Sequence, residues 1–322
     1  MEFYMDKIRV GVIGVGSLGQ HHARVYASLP EVELVGVVDA MSERAGEVAA
    51  RFGTKAYSDY TELFGKVDAV NIASPTTTHA EIGVHCLNEG IHVLAEKPIA
   101  HTLEAADRLI QAARENDRVL QIGHLERFNP AVVALREIVT RPRFFEAHRM
   151  GLFSPRSLDV DVILDLMIHD LDIISLLVPS AVEKVIAVGI AILSNRIDIA
   201  NARIQFEDGC VANITASRVS MEKIRKLRLF QKQEYISLDY TRQELAVFSL
   251  KHNAGSPLPE IVNRKIEPEK KEPLLLELIS FLEAIRGIHL AECDGDEGRR
   301  ALELAMQIRD QAENVQAREF DS

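Results

Sequence analysis

The chain contains 322 residues, of which 47% are hydrophobic and 26% are charged, and its formal net charge is −11. This length accommodates two domains with cores of their own, and the composition is typical of a globular protein. The acidic balance argues against nucleic acid as a partner, and no apolar run is long enough to span a bilayer, so neither nucleic acid nor membrane is an expected partner.

The amino-terminal part of the sequence alternates short β-rich runs with helical segments. Strands are predicted at residues 7–13, 32–38, 67–73, 91–95 and 118–122. Helices are predicted between them at Leu18–Leu29, Ser42–Phe52, Thr78–Asn88 and Leu103–Glu115. This alternation is typical of βαβ units, and it predicts a Rossmann domain with a doubly wound parallel sheet over residues 1–125.

The turn between the first strand and the first helix contains a Gly-x-Gly-x-x-Gly motif. Its glycines are Gly14, Gly16 and Gly19, and Ser17 and Leu18 stand between the last two. Gly14 permits a tight turn, Gly16 leaves room for a pyrophosphate, and Gly19 lets the helix pack closely against the sheet. The amides at the start of the helix then point at the phosphates. The whole motif is therefore predicted to bind a dinucleotide cofactor.

An acidic residue, Asp39, ends the second predicted strand, 20 residues after Gly19. A carboxylate at this position accepts hydrogen bonds from the ribose hydroxyls of the adenosine half. NAD is therefore predicted as the cofactor in preference to NADP. NADP stays open as an alternative, because Ser42 and Arg44 lie where a 2′-phosphate could be received.

The pattern changes near residue 125, where Pro130 is well placed in the first turn of a helix that extends to about Val139. Turn signals such as Glu207–Gly209 separate a later series of β-rich runs, which indicates an antiparallel meander. The predicted strands are 143–150, Val182–Leu193, Ile197–Phe206, Cys210–Val219, Ile224–Gln231, Tyr235–Leu238 and Leu245–Leu250. Residues 126–322 are therefore predicted to form an α+β domain on a large, mainly antiparallel open sheet, which binds the substrate and mediates oligomerisation.

Three further helices are predicted in this second domain. They span Val162–Leu177, Pro273–Arg286 and Asp296–Ala317, and the last two follow a polar stretch at His252–Glu272. An open sheet with apolar residues on its far face must be covered, so a homodimer or homotetramer formed through this sheet is expected.

The segment Glu96–Lys97–Pro98 lies at the carboxyl end of a predicted parallel strand, where ligands bind in open α/β sheets. One interpretation makes Lys97 a donor to a substrate hydroxyl, with Glu96 orienting it and Pro98 fixing the turn. The alternative is a surface ion pair that ends the strand.

A second cluster of polar residues lies in the helix predicted at Val162–Leu177. The i, i+4 spacing of Asp165 and His169 places them on one face, and an imidazole can accept the proton of a hydroxyl while a hydride leaves. The alternative is that His169 is an ordinary buried histidine. Asp172 is interpreted as an acid that stabilises the fold, because apolar residues surround this helix on nearly all sides.

These motifs together resemble the Gfo/Idh/MocA oxidoreductase family, named from glucose-fructose oxidoreductase and inositol dehydrogenase. The resemblance covers nearly the whole chain, and the matching pieces are residues 14–19, 73–79, 96–98 and 165–172. It implies that Lys97, Asp165 and His169 form the substrate site, with His169 accepting the proton and Lys97 polarising the reacting oxygen. It also implies cofactor contacts from Ser74, Pro75, His79, Glu96 and Lys97. Most relatives have Gly where this chain has Met167, so the local packing or pocket shape is expected to differ.

Residues 121–130 resemble a branch of the family that acts on sugar nucleotides, including enzymes that oxidise the 3-hydroxyl of UDP-N-acetylglucosamine. Arg127 and Asn129 lie just beyond a predicted strand end, where they could bind a substrate hydroxyl or phosphate. The alternative is that they organise the start of the following helix.

A basic strand follows later in the chain. Its alternation sends Lys223 and Arg225 to one face, and Lys226, Arg228 and Lys232 to the other. Such a strip could bind a diphosphate, or it could simply be a solvated face.

The predicted function is that of an NAD-dependent dehydrogenase that oxidises a secondary hydroxyl of a sugar, in particular of a nucleotide sugar similar to UDP-N-acetylglucosamine, to a ketone. The alternatives are a dehydrogenase of a free polyol or sugar, such as an inositol, and a non-catalytic NAD-binding sensor. Cys86, Cys210 and Cys293 are odd in number and far apart, so neither disulfides nor a metal site are expected. A cytoplasmic location is therefore predicted.

Overall fold

The computed structural model describes residues 6–153, 160–251 and 260–320, with the side chains of the last helix described up to residue 314. The chain divides into two compact units. The first comprises Met1–Leu125 and Glu272–Arg300, and the second comprises Glu126–Lys271 and Ala301–Ser322. The boundary predicted near residue 125 is therefore one of three places where the chain passes from one unit to the other.

The first unit is built on a six-stranded parallel sheet. Its strands are β1 (Ile8–Ile13), β2 (Val32–Val38), β3 (Lys55–Tyr57), β4 (Ala69–Ile72), β5 (His92–Glu96) and β6 (Leu120–Gly123). Their order is β3-β2-β1-β4-β5-β6, which confirms the doubly wound Rossmann sheet. In such a sheet, ligands bind at the carboxyl ends of the strands near β1 and β4, where the strand order reverses.

Four helices connect these strands: α1 (Gly19–Ser28), α2 (Ser42–Phe52), α3 (Thr76–Asn88) and α4 (Leu103–Glu115). Local sequence sets their ends. Thr102 caps α4 by accepting a hydrogen bond from the Ala105 N–H at 3.1 Å, and Gly53 ends α2 in the left-handed conformation with φ of 67°. These boundaries agree with the predicted helices to within two residues.

The helix α7 (Pro273–Ile285) corrects the predicted domain limits, because it belongs to the first unit and not to a continuous domain over residues 126–322. Its Leu278 and Phe281 are fully buried in one apolar cluster with Val10 and Tyr26. Burial of this apolar surface favours docking against the Rossmann sheet, although the sequence places α7 after the second sheet.

The second unit is built on an eight-stranded sheet. Its strands are β7 (Pro142–Met150), β8 (Val182–Ile190), β9 (Ile199–Phe206), β10 (Val211–Ser217), β11 (Ile224–Gln231), β12 (Glu234–Asp239), β13 (Glu244–Lys251) and β14 (Glu260–Ile266). Their order is β14-β13-β12-β11-β7-β10-β9-β8. Only the pair β7–β10 is parallel among these described strands, so the mainly antiparallel sheet is confirmed.

One face of this sheet is covered and the other is open. Buried and exposed side chains alternate along β9, so that Ala202 and Ile204 point inward. They share an apolar cluster with residues of α6 (Ile168–Leu177) and of the second-unit part of α8 (Gly295–Phe320). The helix α5 (Pro130–Ile138) adds Leu135 to the same cluster.

Two edge strands were not predicted. The strand β3 is only three residues long, too short for a period to be recognised, and β14 lies within the polar stretch at His252–Glu272, where no strand was predicted. Charged residues and exposed positions along β14 are typical of an edge strand. Across the part of the chain that is described, no helix combines the length and apolar character that a membrane crossing requires.

Candidate active site

The turn between β1 and α1 has the geometry that its glycines predict. Gly14 has φ of 83°, and a Cβ there would lie 2.6 Å from the Ser74 nitrogen. A Cβ on Gly19 would lie 1.8 Å from the Gly14 oxygen, so only glycine lets α1 begin this close to the strand. A Cβ on Gly16 would meet no described atom within 4 Å. This open space, beside the amides at the start of α1, fits a pyrophosphate.

Asp39 is held beside this turn by four donors. Its Oδ2 accepts the Val15 N–H and Arg44 Nε, both at 2.9 Å, and its Oδ1 accepts the Met41 N–H at 2.9 Å and Arg44 Nη2 at 2.7 Å. Burial opposes ionisation, but these hydrogen bonds and the charge of Arg44 outweigh it and keep the pKa of Asp39 below its usual value. The residue therefore stays ionised, as recognition of ribose hydroxyls requires.

The segment after β4 is tied to the segment after β5 by a buried histidine. His79 Nδ1 lies 2.9 Å from the Pro98 carbonyl oxygen, and His79 Nε2 lies 2.9 Å from the Ser74 carbonyl oxygen. Burial lowers the pKa of His79, which favours the neutral ring, and that ring has one N–H to donate. Pro75 immediately precedes α3. His79 thus positions the backbone of two segments that were predicted to contact the cofactor.

The end of β5 carries Glu96 and Lys97. His22 on α1 lies between two partners, with Nδ1 2.6 Å from Asn71 Oδ1 and Nε2 2.9 Å from Glu96 Oε1. The other oxygen of Glu96 accepts the Lys97 backbone N–H at 3.3 Å, and the Lys97–Pro98 peptide bond is cis. Burial opposes ionisation of Glu96, but the His22 hydrogen bond and the charges of His22 and Lys97 keep the pKa of Glu96 below its usual value. This network fits the predicted role of Glu96 in orienting Lys97, whereas a surface ion pair does not fit a buried Glu96.

Glu96 is part of a buried polar layer on one face of the Rossmann sheet. The register pairs Asn71 with Leu94 and Leu94 with Gln121, so Asn71 and Gln121 project from the same face as Glu96, which is two residues beyond Leu94. Tyr26 on α1 and Glu277 on α7 are also fully buried, and the Gln121 side chain donates to the Glu277 carbonyl oxygen at 3.3 Å. An apolar core thus contains several polar side chains, of which only some are hydrogen-bonded to one another.

Glu277 is the member of this layer with the most polar side-chain atoms that lack a hydrogen bond to a described residue. Neither of its carboxyl oxygens accepts a hydrogen bond from any residue that the structure describes. Burial, together with the nearby charge of Glu96, raises the pKa of Glu277 well above its usual value. An ionised carboxylate without partners in an apolar core is strongly disfavoured, so Glu277 holds a proton at neutral pH.

Replacing Glu277 with glutamine is expected to raise the melting temperature at alkaline pH. In the unfolded chain this carboxyl ionises near 4.5, whereas the folded protein keeps it protonated to a much higher pH. The wild type therefore loses stability as pH rises between the two pKa values, and glutamine removes that loss. Each kcal/mol recovered corresponds to about 2–4 °C in Tm for a domain of moderate size.

Thermal unfolding of both proteins from about pH 4 to about pH 9 measures this difference. The difference in Tm between Glu277→Gln and the wild type should increase as pH rises and should disappear toward the acidic end of the range. Glu313→Gln, an exposed glutamate on α8, serves as the matched control and should follow the wild type throughout. A parallel pH dependence for wild type and Glu277→Gln would show that Glu277 is ionised in the folded protein.

In the second unit, the helix that carries Asp165 and His169 differs in one respect from the prediction. Its first turn, Ile163–Met167, is a π-helix, and the α-helical geometry of α6 begins at Ile168. Asp161 precedes this turn, and its Oδ1 accepts the N–H groups of Ile163 and Leu164, both at 2.9 Å. Single π-helical turns are often found at functional sites, and this one includes Asp165 and Met167.

Asp165 and His169 are among the residues of this helix that are not fully buried. Both residues are partly buried, whereas Met167, Ile168 and Asp170 are buried. Since a helical turn takes up about four residues, the two polar side chains remain roughly one turn apart across the junction between the π turn and α6. The structure places Lys97 in the first unit and this pair in the second.

Two buried ion pairs fix the orientation of α6. Arg149 on β7 donates to both oxygens of Asp170, at 2.7 and 3.1 Å, and to Glu126 at 2.9 Å. Arg127 donates to Asp172 through Nε and Nη2, with distances from 2.7 to 3.1 Å. Because Asp170 and Asp172 lie in the turn that follows His169, these pairs fix the part of α6 next to that residue. The stabilising role predicted for Asp172 is confirmed.

Arg127 and Asn129 are committed to contacts within the protein. Arg127 is 3% exposed, and its guanidinium pairs with Asp172. Asn129 Oδ1 caps α5 by accepting the Ala131 N–H at 3.1 Å, and its Nδ2 donates to the Tyr240 carbonyl oxygen at 3.0 Å. These contacts favour the second of the two roles considered for this pair, organisation of the helix start, over direct binding of substrate.

Sequence reasoning missed three buried polar residues: His22 and Arg149, whose hydrogen bonds hold Glu96 and Asp170, and Glu277 of the buried polar layer. The signal for Glu277 was available, because a single acid interrupts the apolar run Leu274–Leu278 of an amphipathic pattern. Arg149 occupies an inward position of an alternating strand, which also marks an unusual buried charge. For His22 the sequence carries no comparable signal, since its partners come from β4 and β5.

A glycine turn with space for a pyrophosphate, beside an ionised acid that ends the second strand, defines a dinucleotide-binding oxidoreductase of the Rossmann class. The profile of an oxidoreductase family with an NAD-binding Rossmann fold, Gfo/Idh/MocA, matches residues 8–124. With this family established, the cofactor is NAD, and the chain is a dehydrogenase that belongs to the Gfo/Idh/MocA oxidoreductase family.

Individual proteins are similar to this chain over most of its length. A UDP-N-acetylglucosamine 3-dehydrogenase from Acidithiobacillus ferrooxidans is 41% identical over 306 residues, which cover 95% of this chain and 97% of the relative. A solved structure of that enzyme superposes with a TM-score of 0.89 and covers 96% of this chain and 99% of its own. A myo-inositol 2-dehydrogenase from Thermotoga maritima is 28% identical, covering 92% of this chain and 94% of the relative.

Proposed function

We propose that this dehydrogenase oxidises the 3-hydroxyl of UDP-N-acetylglucosamine, or of a closely similar nucleotide sugar, to a ketone. The observation that supports this substrate most strongly is the 41% identity, sustained over 95% of the chain, with a UDP-N-acetylglucosamine 3-dehydrogenase. Similarity at this level extends through the second unit, which contains Asp165 and His169.

In this reaction the alcohol carbon loses a hydride and its hydroxyl loses a proton, so that a ketone, NADH and a proton are formed. NAD supplies the hydride acceptor when bound. His169 accepts the hydroxyl proton, and Lys97 donates a hydrogen bond that polarises the reacting oxygen. Asp165, one turn from His169, orients the imidazole. The hydrogen bonds of Glu96 and the ion pairs of α6 hold Lys97 and His169 in place before substrate binds.

We assign cofactor binding to the residues predicted for it. Gly14, Gly16, Ser17, Leu18 and Gly19 form the turn for the pyrophosphate, and Asp39 accepts the ribose hydroxyls. Contacts along the rest of the cofactor come from Ser74, Pro75, His79, Glu96 and Lys97. Support for this assignment comes from the open space at Gly16 and from the ionised state of Asp39.

A second candidate substrate is a free polyol. It is favoured by the 28% identity with a myo-inositol 2-dehydrogenase over 92% of this chain. A polyol enzyme uses the same chemistry at the reacting carbon, so the two candidates differ only in whether the nucleotide contributes to binding.

Reduction of NAD, followed by the absorbance of the reduced nicotinamide, tests the proposal against a panel of UDP-sugars, free N-acetylglucosamine and inositols. Turnover that requires the UDP moiety would support the nucleotide-sugar assignment. Turnover of inositols without a response to UDP-sugars would overturn that assignment and favour the polyol. NAD binding without reduction by any member of the panel would instead identify a sensor.

We also propose that the protein is a homo-oligomer formed through the open face of the eight-stranded sheet. On β8, the outward side chains Ile186, Val188 and Ile190 are 51%, 47% and 54% exposed. Farther across the same face, four aromatic rings contact one another in a row, with centroids 4.9 to 5.6 Å apart: Phe144, Phe230, Tyr235 and Phe248. Exposed apolar groups of this kind favour burial against a second copy.

Val188→Asp is expected to shift the protein toward the monomer, because an ionised carboxylate cannot be buried in an apolar interface without a partner. Light scattering coupled to size-exclusion chromatography measures the mass. Leu290→Asp, at a residue of the first unit that is 90% exposed, is the control and should leave the mass unchanged. A wild-type monomer, or an oligomer unaffected by Val188→Asp, would contradict the proposed interface.

We also assign the protein to a reducing, cytoplasmic environment. The buried thiols of Cys86, Cys210 and Cys293 support this assignment.

A further inference from the structure

The basic strand β11 divides its charges between two faces. On the outer face, Lys226 pairs with Asp239 at 3.9 Å and Arg228 pairs with Glu146 at 2.8 Å. On the inner face, Arg225 shares its side with the buried residues Leu227 and Leu229. Lys226 and Arg228 thus each have an acidic partner, and Arg225 has a different environment.

The neighbours of Arg225 across the sheet are Arg149 on β7 and Tyr240 just after β12. The register pairs Arg225 with Arg149, and the Tyr240 N–H donates to the Arg225 carbonyl oxygen at 3.1 Å. Two positively charged guanidinium groups therefore lie side by side on the inner face. Arg149 is neutralised, since its donors contact Asp170 and Glu126.

The guanidinium of Arg225 forms no hydrogen bond and no ion pair with any residue that the structure describes. Burial and the charge of Arg149 lower the pKa of Arg225, and the more distant carboxylates of Glu126, Asp170 and Asp165 oppose this only in part. A partly buried guanidinium without a hydrogen-bonding anion is costly to maintain, and an anion supplied by a ligand would relieve that cost.

Arg149, the cross-strand neighbour of Arg225, donates to Asp170, which directly follows His169 in α6, so the Arg225 guanidinium lies on the face of the sheet that packs against the helix carrying Asp165 and His169. A negatively charged group bound at Arg225 would therefore belong to the same molecule whose hydroxyl lies at Asp165 and His169. The planar fork of a guanidinium matches two oxygens of a phosphate group.

We propose that Arg225 binds the diphosphate of the nucleotide-sugar substrate and thereby selects that substrate over a free sugar. This inference rests on the proposed function, because a polyol carries no phosphate. It makes Arg225 a specificity residue, distinct from the groups that handle the proton.

The variants to compare are Arg225→Gln and the control Arg242→Gln, which removes a guanidinium from the turn between β12 and β13, where its side chain is 71% exposed. With NAD saturating, Arg225→Gln should raise KM for UDP-N-acetylglucosamine by about 10- to 100-fold, as expected for the loss of a charge-assisted hydrogen bond, while kcat changes little. Its affinity for UDP, measured by calorimetry without turnover, should fall by a similar factor. Arg242→Gln should match the wild type in both measurements.

Arg225→Lys provides a second variant if Arg225→Gln lowers the melting temperature substantially. Lysine keeps the charge but loses the fork, so an intermediate KM and an intermediate affinity for UDP are expected. Unchanged KM and unchanged UDP affinity in the Arg225 variants, with a wild type that oxidises UDP-sugars, would overturn the Arg225 assignment alone. A wild type that oxidises only polyols and does not bind UDP would overturn the proposed function, and with it this assignment.

Discussion

Replacing His169 with alanine is expected to lower kcat by about 10²- to 10⁴-fold, the usual contribution of a positioned general base. The variant lacks the group that accepts the hydroxyl proton, so the oxygen must lose that proton to water while the hydride leaves. NAD affinity should stay close to that of the wild type, because His169 lies in the second unit and the glycine turn lies in the first.

Single-turnover reduction of NAD measures the chemical step, and a separate titration with NAD measures cofactor affinity. His289→Ala is the matched control, since this histidine lies in the first unit, its side chain is 39% exposed and its Nε2 lies 3.0 Å from Glu283. It should retain wild-type kcat. If His169→Ala kept full activity, the assignment of the proton acceptor would be wrong, and Lys97 would take its place.

Replacing Asp39 with serine is expected to reduce NAD affinity by about 10- to 100-fold and to improve NADP affinity. The carboxylate that accepts the ribose hydroxyls is lost. The guanidinium of Arg44, which pairs with both Asp39 oxygens at 2.7 and 2.9 Å, is released at the same time. Arg44 is 42% exposed at its side chain and can then turn toward a 2′-phosphate.

The ratio of kcat/KM for the two cofactors provides the measurement. The double variant Asp39→Ser/Arg44→Ala separates the two effects, because it should lose NAD affinity without gaining NADP affinity. Asp39→Asn keeps the shape of the side chain but only one of its two oxygens, so it can accept the N–H of Val15 or that of Met41 but not both, and its melting temperature shows how much the turn depends on this support. An unchanged preference for NAD in Asp39→Ser would show that Asp39 serves the turn and not the ribose.

The parts of the fold that local patterns determine were predictable. Five of the six Rossmann strands and the glycine turn follow from short apolar runs and from backbone constraints within a few residues, so they could be found without knowledge of tertiary structure. The π-helical turn at Ile163–Met167 could not be predicted. Its hydrogen bonds differ from those of an α-helix, but its pattern of apolar residues is the same as that of an α-helix.

In the candidate site, too, local sequence motifs identify some residues, whereas other features depend on contacts between residues distant in sequence. Lys97 and His169 were recognisable from motifs, whereas the hydrogen bonds that position them depend on residues distant in sequence. His22 meets Glu96 across 74 positions, and Arg149 meets Asp170 across 21. The two roles considered for Arg127 could be distinguished only from its ion pair with Asp172, which lies 45 positions further along the chain.

The interrupted path of the chain through its first unit has a consequence for protein engineering. A cofactor-binding fragment cut after Leu125 would keep every strand of the parallel sheet but would lose α7, and the apolar surface around Val10 and Tyr26 would face water. Such a fragment is expected to aggregate. Transfer of this cofactor specificity to another scaffold would therefore require two separate inserts, residues 1–125 and 272–300. Recombination at a single crossover between homologues would join a sheet from one parent to a covering helix from the other.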